Sequence, residues 1–94
     1  MVESEVSIVA TKYLEMWNEQ YGVVRDRDIV KHTCREAMTD IVGWIEGDDP
    51  NESREMAGCT DFTRAQLLEL YQGLAPSASY FGYTPVTEYL NVTL

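Results

Sequence analysis

Hydrophobic side chains recur every three or four residues in the first stretch of the chain, which is the one-sided repeat of an amphipathic helix. Gly22 follows this stretch directly, and glycine often closes a helix because it adopts a left-handed backbone without steric cost. The pattern therefore predicts a helix over 4–21 that ends at Gly22. The positions that carry the repeat are Val6, Val9, Ala10, Tyr13, Trp17 and Tyr21.

A second stretch carries the same repeat, with Trp44 at the edge of its apolar side. Asp26 and Asp28 stand at its start, where a carboxylate accepts hydrogen bonds from the unpaired backbone amides of a helix. Gly47 follows its last residue as a candidate cap. The pattern predicts a helix over 28–46. The apolar positions of this helix are Val30, Cys34, Ala37, Met38, Ile41 and Ile45.

Turn-forming residues separate the later elements. The stretch 47–60 is rich in Gly, Asp and Asn, so we expect mostly loop with one short helical turn. Thr63 and Gln66 have the spacing of a capping box, which predicts the start of a third helix over 63–72. Gly73 is expected to end that helix.

The last part of the chain reads as a linker followed by a short helix. The stretch 75–85 has linker composition, but its aromatic side chains would be costly to leave in water, so we expect it to pack onto the bundle. A short fourth helix over 85–94 is favoured over a terminal strand. The sequence thus predicts one all-α domain, 1–94, built as a compact bundle of three to four helices with an acidic connection after the second helix.

Charge is concentrated in the middle of the chain. The net charge is −9, from 16 acids and 7 bases, and residues 36–61 hold eight of the acids against one base. A surface of this sign repels phosphate backbones and attracts basic partners. We therefore expect no direct nucleic-acid binding and a protein partner with a basic surface.

Candidate chemistry is sparse. His32 is the single histidine, and its neighbours at four-residue spacing indicate a solvated face of charged side chains and not a catalytic centre. Cys34 and Cys59 lack the paired spacing of a zinc site, and no glycine-rich phosphate loop occurs. The sequence predicts a non-enzymatic protein with no catalytic residue, metal or cofactor. It also predicts no membrane span and a location in the cytoplasm, that of the host if the chain is viral.

Two surfaces are candidates for binding the partner, and the sequence does not choose between them. The favoured function is an adaptor or assembly subunit, and self-association as a homodimer is expected. The alternative is an inhibitor encoded by a phage or mobile element, in which carboxylates imitate DNA phosphates and block a nucleic-acid-binding host protein. The acidic candidates are Asp28, Glu36, Asp40, Glu46, Asp48, Asp49, Glu52 and Glu55. The aromatic candidates for interface anchors, some of which are expected to stay exposed, are Trp44, Tyr80, Phe81 and Tyr83.

Overall fold

The chain folds into helices joined by short turns. The computed structural model describes residues 4–47 and 51–92, and the side chains of all of these except 51–53. None of the described residues forms a β-strand, so the all-α class is confirmed. In chain order the helices of this part are α1 (Glu5–Val24), α2 (Arg27–Glu46), α3 (Asn51–Ala57), α4 (Arg64–Tyr80) and α5 (Thr87–Leu90).

The three long helices enclose one hydrophobic core. α4 packs against both α1 and α2, these two pack against each other, and α5 covers part of α4. The predicted apolar sides of the first two helices point inward, and the indole of Trp17 is fully buried. Within the described part of the chain, no helix combines the length and the apolar character that crossing a bilayer requires. The largest side chains with almost no exposure are Trp17, Tyr71, Phe81, Met38 and Ile41.

The turn between α1 and α2 lies later than the sequence predicts. The expectation that Gly22 ends the first helix is wrong, because α1 continues to Val24. Arg25 takes the left-handed conformation instead, with φ of 52°, and its N–H donates to the carbonyl of Tyr21 at 2.8 Å. Asp26 then starts α2 by accepting a hydrogen bond from an amide of its first turn. Glycine can adopt the left-handed conformation that caps a helix, but it does not have to. The position of the turn between α1 and α2 is set instead by where α2 begins, at Asp26.

The connection after α2 contains more helix than expected. Gly47 caps α2 as predicted, with φ of 79°. The expectation of mostly loop fails for Asn51–Ala57, which forms α3. The guanidinium of Arg54 donates to the carbonyls of Cys59, at 2.8 Å, and Phe62. These bonds satisfy carbonyls of the following turn and so hold α3 against it, an interaction that hydrophobic periodicity does not reveal.

α4 begins as predicted but ends much later. The Thr63 hydroxyl accepts from the N–H of Gln66 at 3.2 Å, and the Gln66 side chain accepts from the N–H of Thr63 at 2.8 Å, so the capping box is confirmed. The predicted end at Gly73 is wrong, because the helix runs through Gly73 and Pro76 to Tyr80. Burial of this part of α4 against the other long helices outweighs the weak helix propensity of glycine and proline.

The C-terminal segment folds back along α4. The hydroxyl of Tyr71 lies 2.9 Å from that of Tyr83 and accepts from the N–H of Val86 at 2.8 Å. The side chain of Gln72 donates to the carbonyl of Tyr89 at 2.9 Å. The preference for helix over strand is confirmed by α5, although this helix is a single turn and starts after Val86, without a side-chain cap.

Candidate protein-binding surface

α2 carries its charges along two separate edges. Successive residues of an α-helix lie about 100° apart around the axis, and residues four apart share an edge. Arg27, Lys31 and Arg35 form a basic edge, and all three are exposed. One residue further on, Asp28, His32, Glu36 and Asp40 form an edge that we call the acidic edge, and these are exposed as well.

The basic edge faces the C-terminal end of α4. The guanidinium carbon of Arg27 lies 5.1 Å from the centroid of the Tyr80 ring. Lys31 lays its aliphatic chain against Gly82, where a β-carbon would come within 3.2 Å of the lysine Cδ. Gly82 has φ of 101°, so the turn after α4 both needs glycine and leaves room for this lysine. Two of the basic side chains are thus engaged within the molecule.

One end of the acidic edge lies next to α1. Asp40 lines a hollow together with Lys12 and Tyr13 of that helix. Glu36 pairs with His32, whose Nε2 lies 2.9 Å from the glutamate Oε1. Burial raises the pKa of Tyr13, with smaller contributions from nearby Cys59 and Asp40, so its phenol stays protonated at neutral pH. The hollow therefore combines a carboxylate, an amine and a phenol donor beside apolar side chains.

The structure does not gather all the predicted acidic residues into one surface. Asp28, Glu36, Asp40 and Glu55 are exposed. Glu46 accepts a hydrogen bond from the hydroxyl of Tyr89 in α5, so it lies on a different side of α2 from the acidic edge. Asp48 and Asp49 lie outside the described residues, as does the side chain of Glu52.

The aromatic candidates separate into buried and exposed side chains. Trp44 and Phe81 are wrong as candidates for exposed anchors, because they are only 5% and 1% exposed. Tyr83 is half-buried, and its hydroxyl hydrogen-bonds with that of Tyr71. Tyr80 is 63% exposed and is the member of this set that remains at the surface. The turn after α4 folds Phe81 inward, which residue type and spacing alone do not reveal.

A groove runs along α1 that the sequence analysis did not predict. Three open hollows of about 350, 390 and 370 Å³ follow one side of this helix. They share lining residues, with Val9 and Lys12 common to the first two and Met16 common to the first and third. We call this row of adjoining hollows the α1 groove. Its signal in the sequence was a second apolar repeat on α1, outside the core stripe, formed by Ile8, Met16 and Val23.

The cysteines are packing residues. Cys34 and Cys59 are fully buried, and burial raises the pKa of both thiols to about 11. They are therefore protonated and unreactive at neutral pH. In residues 4–47 and 51–92, no three His, Cys, Asp or Glu side chains gather closely enough to hold a metal ion.

Comparison with known proteins gives no relative from which a function can be transferred. The chain matches no protein-family model, no curated protein and no solved structure. Its function has to be inferred from the charge and shape of its own surface.

Proposed function

We propose that this chain is a small, non-enzymatic, cytoplasmic protein-binding domain that acts as an adaptor or assembly subunit and contacts a basic partner through the acidic edge of α2. The observation that carries the proposal is the separation of charge on this helix. Arg27 and Lys31 of the basic edge lie against Tyr80 and Gly82 at the end of α4. Glu36 and Asp40 are exposed on the acidic edge, and Asp40 lies next to α1.

Electrostatics gives this arrangement a consequence for binding. Exposed carboxylates contribute little to the stability of a monomer. Grouped on one edge, with the nearest lysines and arginines of α2 on another, they create a negative field that steers a basic partner toward one side of the molecule. Charge that served solubility alone would not need this segregation.

The inhibitor that imitates DNA is the second candidate. It is favoured by the register of Asp28, Glu36 and Asp40, which are all exposed and lie at multiples of four residues along α2. Neighbouring carboxylates in this register are about 6 Å or more apart along the helix axis, whereas duplex DNA carries one charge about every 1.7 Å of its axis. This function would need two chains side by side, so it depends on the homodimer, which stays a prediction.

Capture with charge-reversed variants tests the proposal. The full chain is immobilised and incubated with a lysate of the organism that encodes it, and retained proteins are identified. Glu36→Lys with Asp40→Lys should abolish retention of the basic partner. Glu69→Lys with Glu88→Lys makes the same change in net charge at exposed acids of α4 and α5, and it should leave retention intact. Equal loss in both variants would mean that only net charge matters, and equal retention would refute the acidic edge.

A further inference from the structure

The α1 groove has an apolar floor that reaches the surface. Val9 and Tyr13 lie at its base, and Met16 and Met56 stand at its sides. Met56 is 91% exposed, and Val23 at the far end is 78% exposed. Large apolar side chains placed together in a concave surface mark a binding site much more often than the same residues scattered singly.

The rim of the groove is mostly acidic. Among the described residues that line it, Lys12 is the one base. The acids Glu5 and Asp61 line one end, Asp40 the middle and Glu19 the other end. Four acids against one base give the rim a net negative charge, which complements a positively charged partner.

We propose that the α1 groove binds a basic amphipathic helix of a partner protein. From Ile8 to Val23 the groove spans 16 residues of α1, or about 22 Å, which matches about four turns of a facing helix. Apolar residues of that helix would lie on the floor, and its lysines or arginines would meet the acidic rim. Met16 and Met56 suit this task because the unbranched thioether side chain adapts to different partner surfaces. The inference rests on the proposed function and names the site and the shape of the partner.

A second copy of this chain is a poor occupant. Two chains joined face to face at their grooves would bring each other's acidic rims together, with a net charge of −9 on each chain. Like charges held close across an interface cost free energy that Lys12 of each copy would only partly offset. A basic helix removes this repulsion and replaces it with attraction.

A model peptide provides the probe. It contains leucine and lysine only, is about 18 residues long, and repeats leucine with the helical period so that one side is apolar. A control peptide of identical composition has its leucines spread around the helix. Binding to the full chain is followed by NMR of ¹³C-labelled methionine methyl groups. We expect the signals of Met16 and Met56 to shift, while that of Met38, which is fully buried in the core, stays in place.

Variants then locate the contact without changing charge. Ile8→Gln with Met16→Gln should weaken binding of the amphipathic peptide by about tenfold or more, since the two changes remove apolar contacts at one end and in the middle of the groove. Val86→Gln replaces an apolar side chain of similar exposure outside the groove and should leave the affinity unchanged. Circular dichroism of each variant establishes that it is folded before the affinities are compared.

The possible results are distinct. Equal binding of both peptides, or an affinity unaffected by Ile8→Gln with Met16→Gln, overturns the groove as a helix site, but the acidic edge is still judged separately by capture. Failure of the amphipathic peptide to bind overturns the groove proposal as well. A shift of the Met16 and Met56 signals with protein concentration alone would show that a second copy occupies the groove, which contradicts it.

Discussion

The guanidinium of Arg27, on the basic edge of α2, packs on the ring of Tyr80 at the end of α4, with its carbon 5.1 Å from the ring centroid. The next residue, Phe81, is buried, with its ring 5.7 Å from that of Tyr21 and 5.1 Å from that of Tyr80. Two adjacent aromatic residues therefore have different roles, since one meets solvent and a cation and the other fills the core.

Alanine substitution should separate these two roles. Phe81→Ala is expected to lower the free energy of unfolding by about 3 to 5 kcal/mol, because it opens a cavity in the core. Tyr80→Ala should cost about 1 to 2 kcal/mol, since it removes an exposed cation–π contact with Arg27 and an edge contact with the Phe81 ring. Urea denaturation of both variants measures the difference. A similar loss in the two variants would mean that Tyr80 is not a surface residue.

Glycine substitutions test where α4 ends. Gly73 lies inside this helix with space for a methyl group, so Gly73→Ala should raise the free energy of unfolding by about 0.5 to 1 kcal/mol. Gly47→Ala is the matched control, because it also meets no neighbour but has φ of 79°, and it should destabilise the chain by about 1 kcal/mol. Destabilisation by Gly73→Ala would instead support a helix that stops there.

The sequence was most informative where a signal is local. The apolar repeats placed α1 and α2, and the capping box of Thr63 and Gln66 placed the start of α4. The predicted helix ends at Gly22 and Gly73 were wrong, because whether a glycine ends a helix depends on what the next residues pack against. Residues that follow a helix end, such as Phe81, turn inward or outward according to the tertiary fold.

The candidate surface was only partly accessible from the sequence. Periodicity placed Glu36 and Asp40 on one edge of α2, and the structure agrees. It did not reveal that Glu46 bonds to Tyr89, because these residues are 43 positions apart in the chain. The α1 groove depends on how α3 is placed beside α1, and α3 itself was expected to be mostly loop.

Arg54 should be important for stability although it lies in an otherwise polar segment. Arg54→Ala removes two hydrogen bonds to backbone carbonyls of Cys59 and Phe62. We expect the free energy of unfolding to fall by about 2 kcal/mol, in the range for bonds to a charged donor. Arg35→Ala, an exposed arginine of α2, should change it by less than about 0.5 kcal/mol. If thermal denaturation shows the same loss of stability for Arg54→Ala and Arg35→Ala, the hydrogen bonds of Arg54 do not hold α3 against the following turn.

Stability should decline in alkaline solution, in part through Tyr89. The hydrogen bond to Glu46 raises the pKa of Tyr89 to about 12, from an ordinary value of 10.0. The folded chain thus holds this proton more tightly than the unfolded chain. The resulting stabilisation is complete below pH 10.0 and is lost as the pH rises through about 12.

Phenylalanine at position 89 removes this titration. Denaturation midpoints for Tyr89→Phe should depend less steeply on pH between 10.0 and about 12 than those of the unmodified chain. Tyr80→Phe changes an exposed tyrosine and should retain the original pH dependence. If the two variants have the same pH dependence, the hydrogen bond between Tyr89 and Glu46 does not contribute to the loss of stability at alkaline pH.

The affinity of the basic amphipathic peptide as a function of salt concentration tests the central claim most directly. Electrostatic attraction between exposed charges is screened as the Debye length shrinks from about 10 Å at 0.1 M to about 3 Å at 1 M. Binding by the unmodified chain should weaken over this range, and Glu36→Lys with Asp40→Lys should weaken binding at low salt and flatten the dependence on salt. An affinity that stays constant from low to high salt, with or without those substitutions, would contradict recognition through the acidic edge.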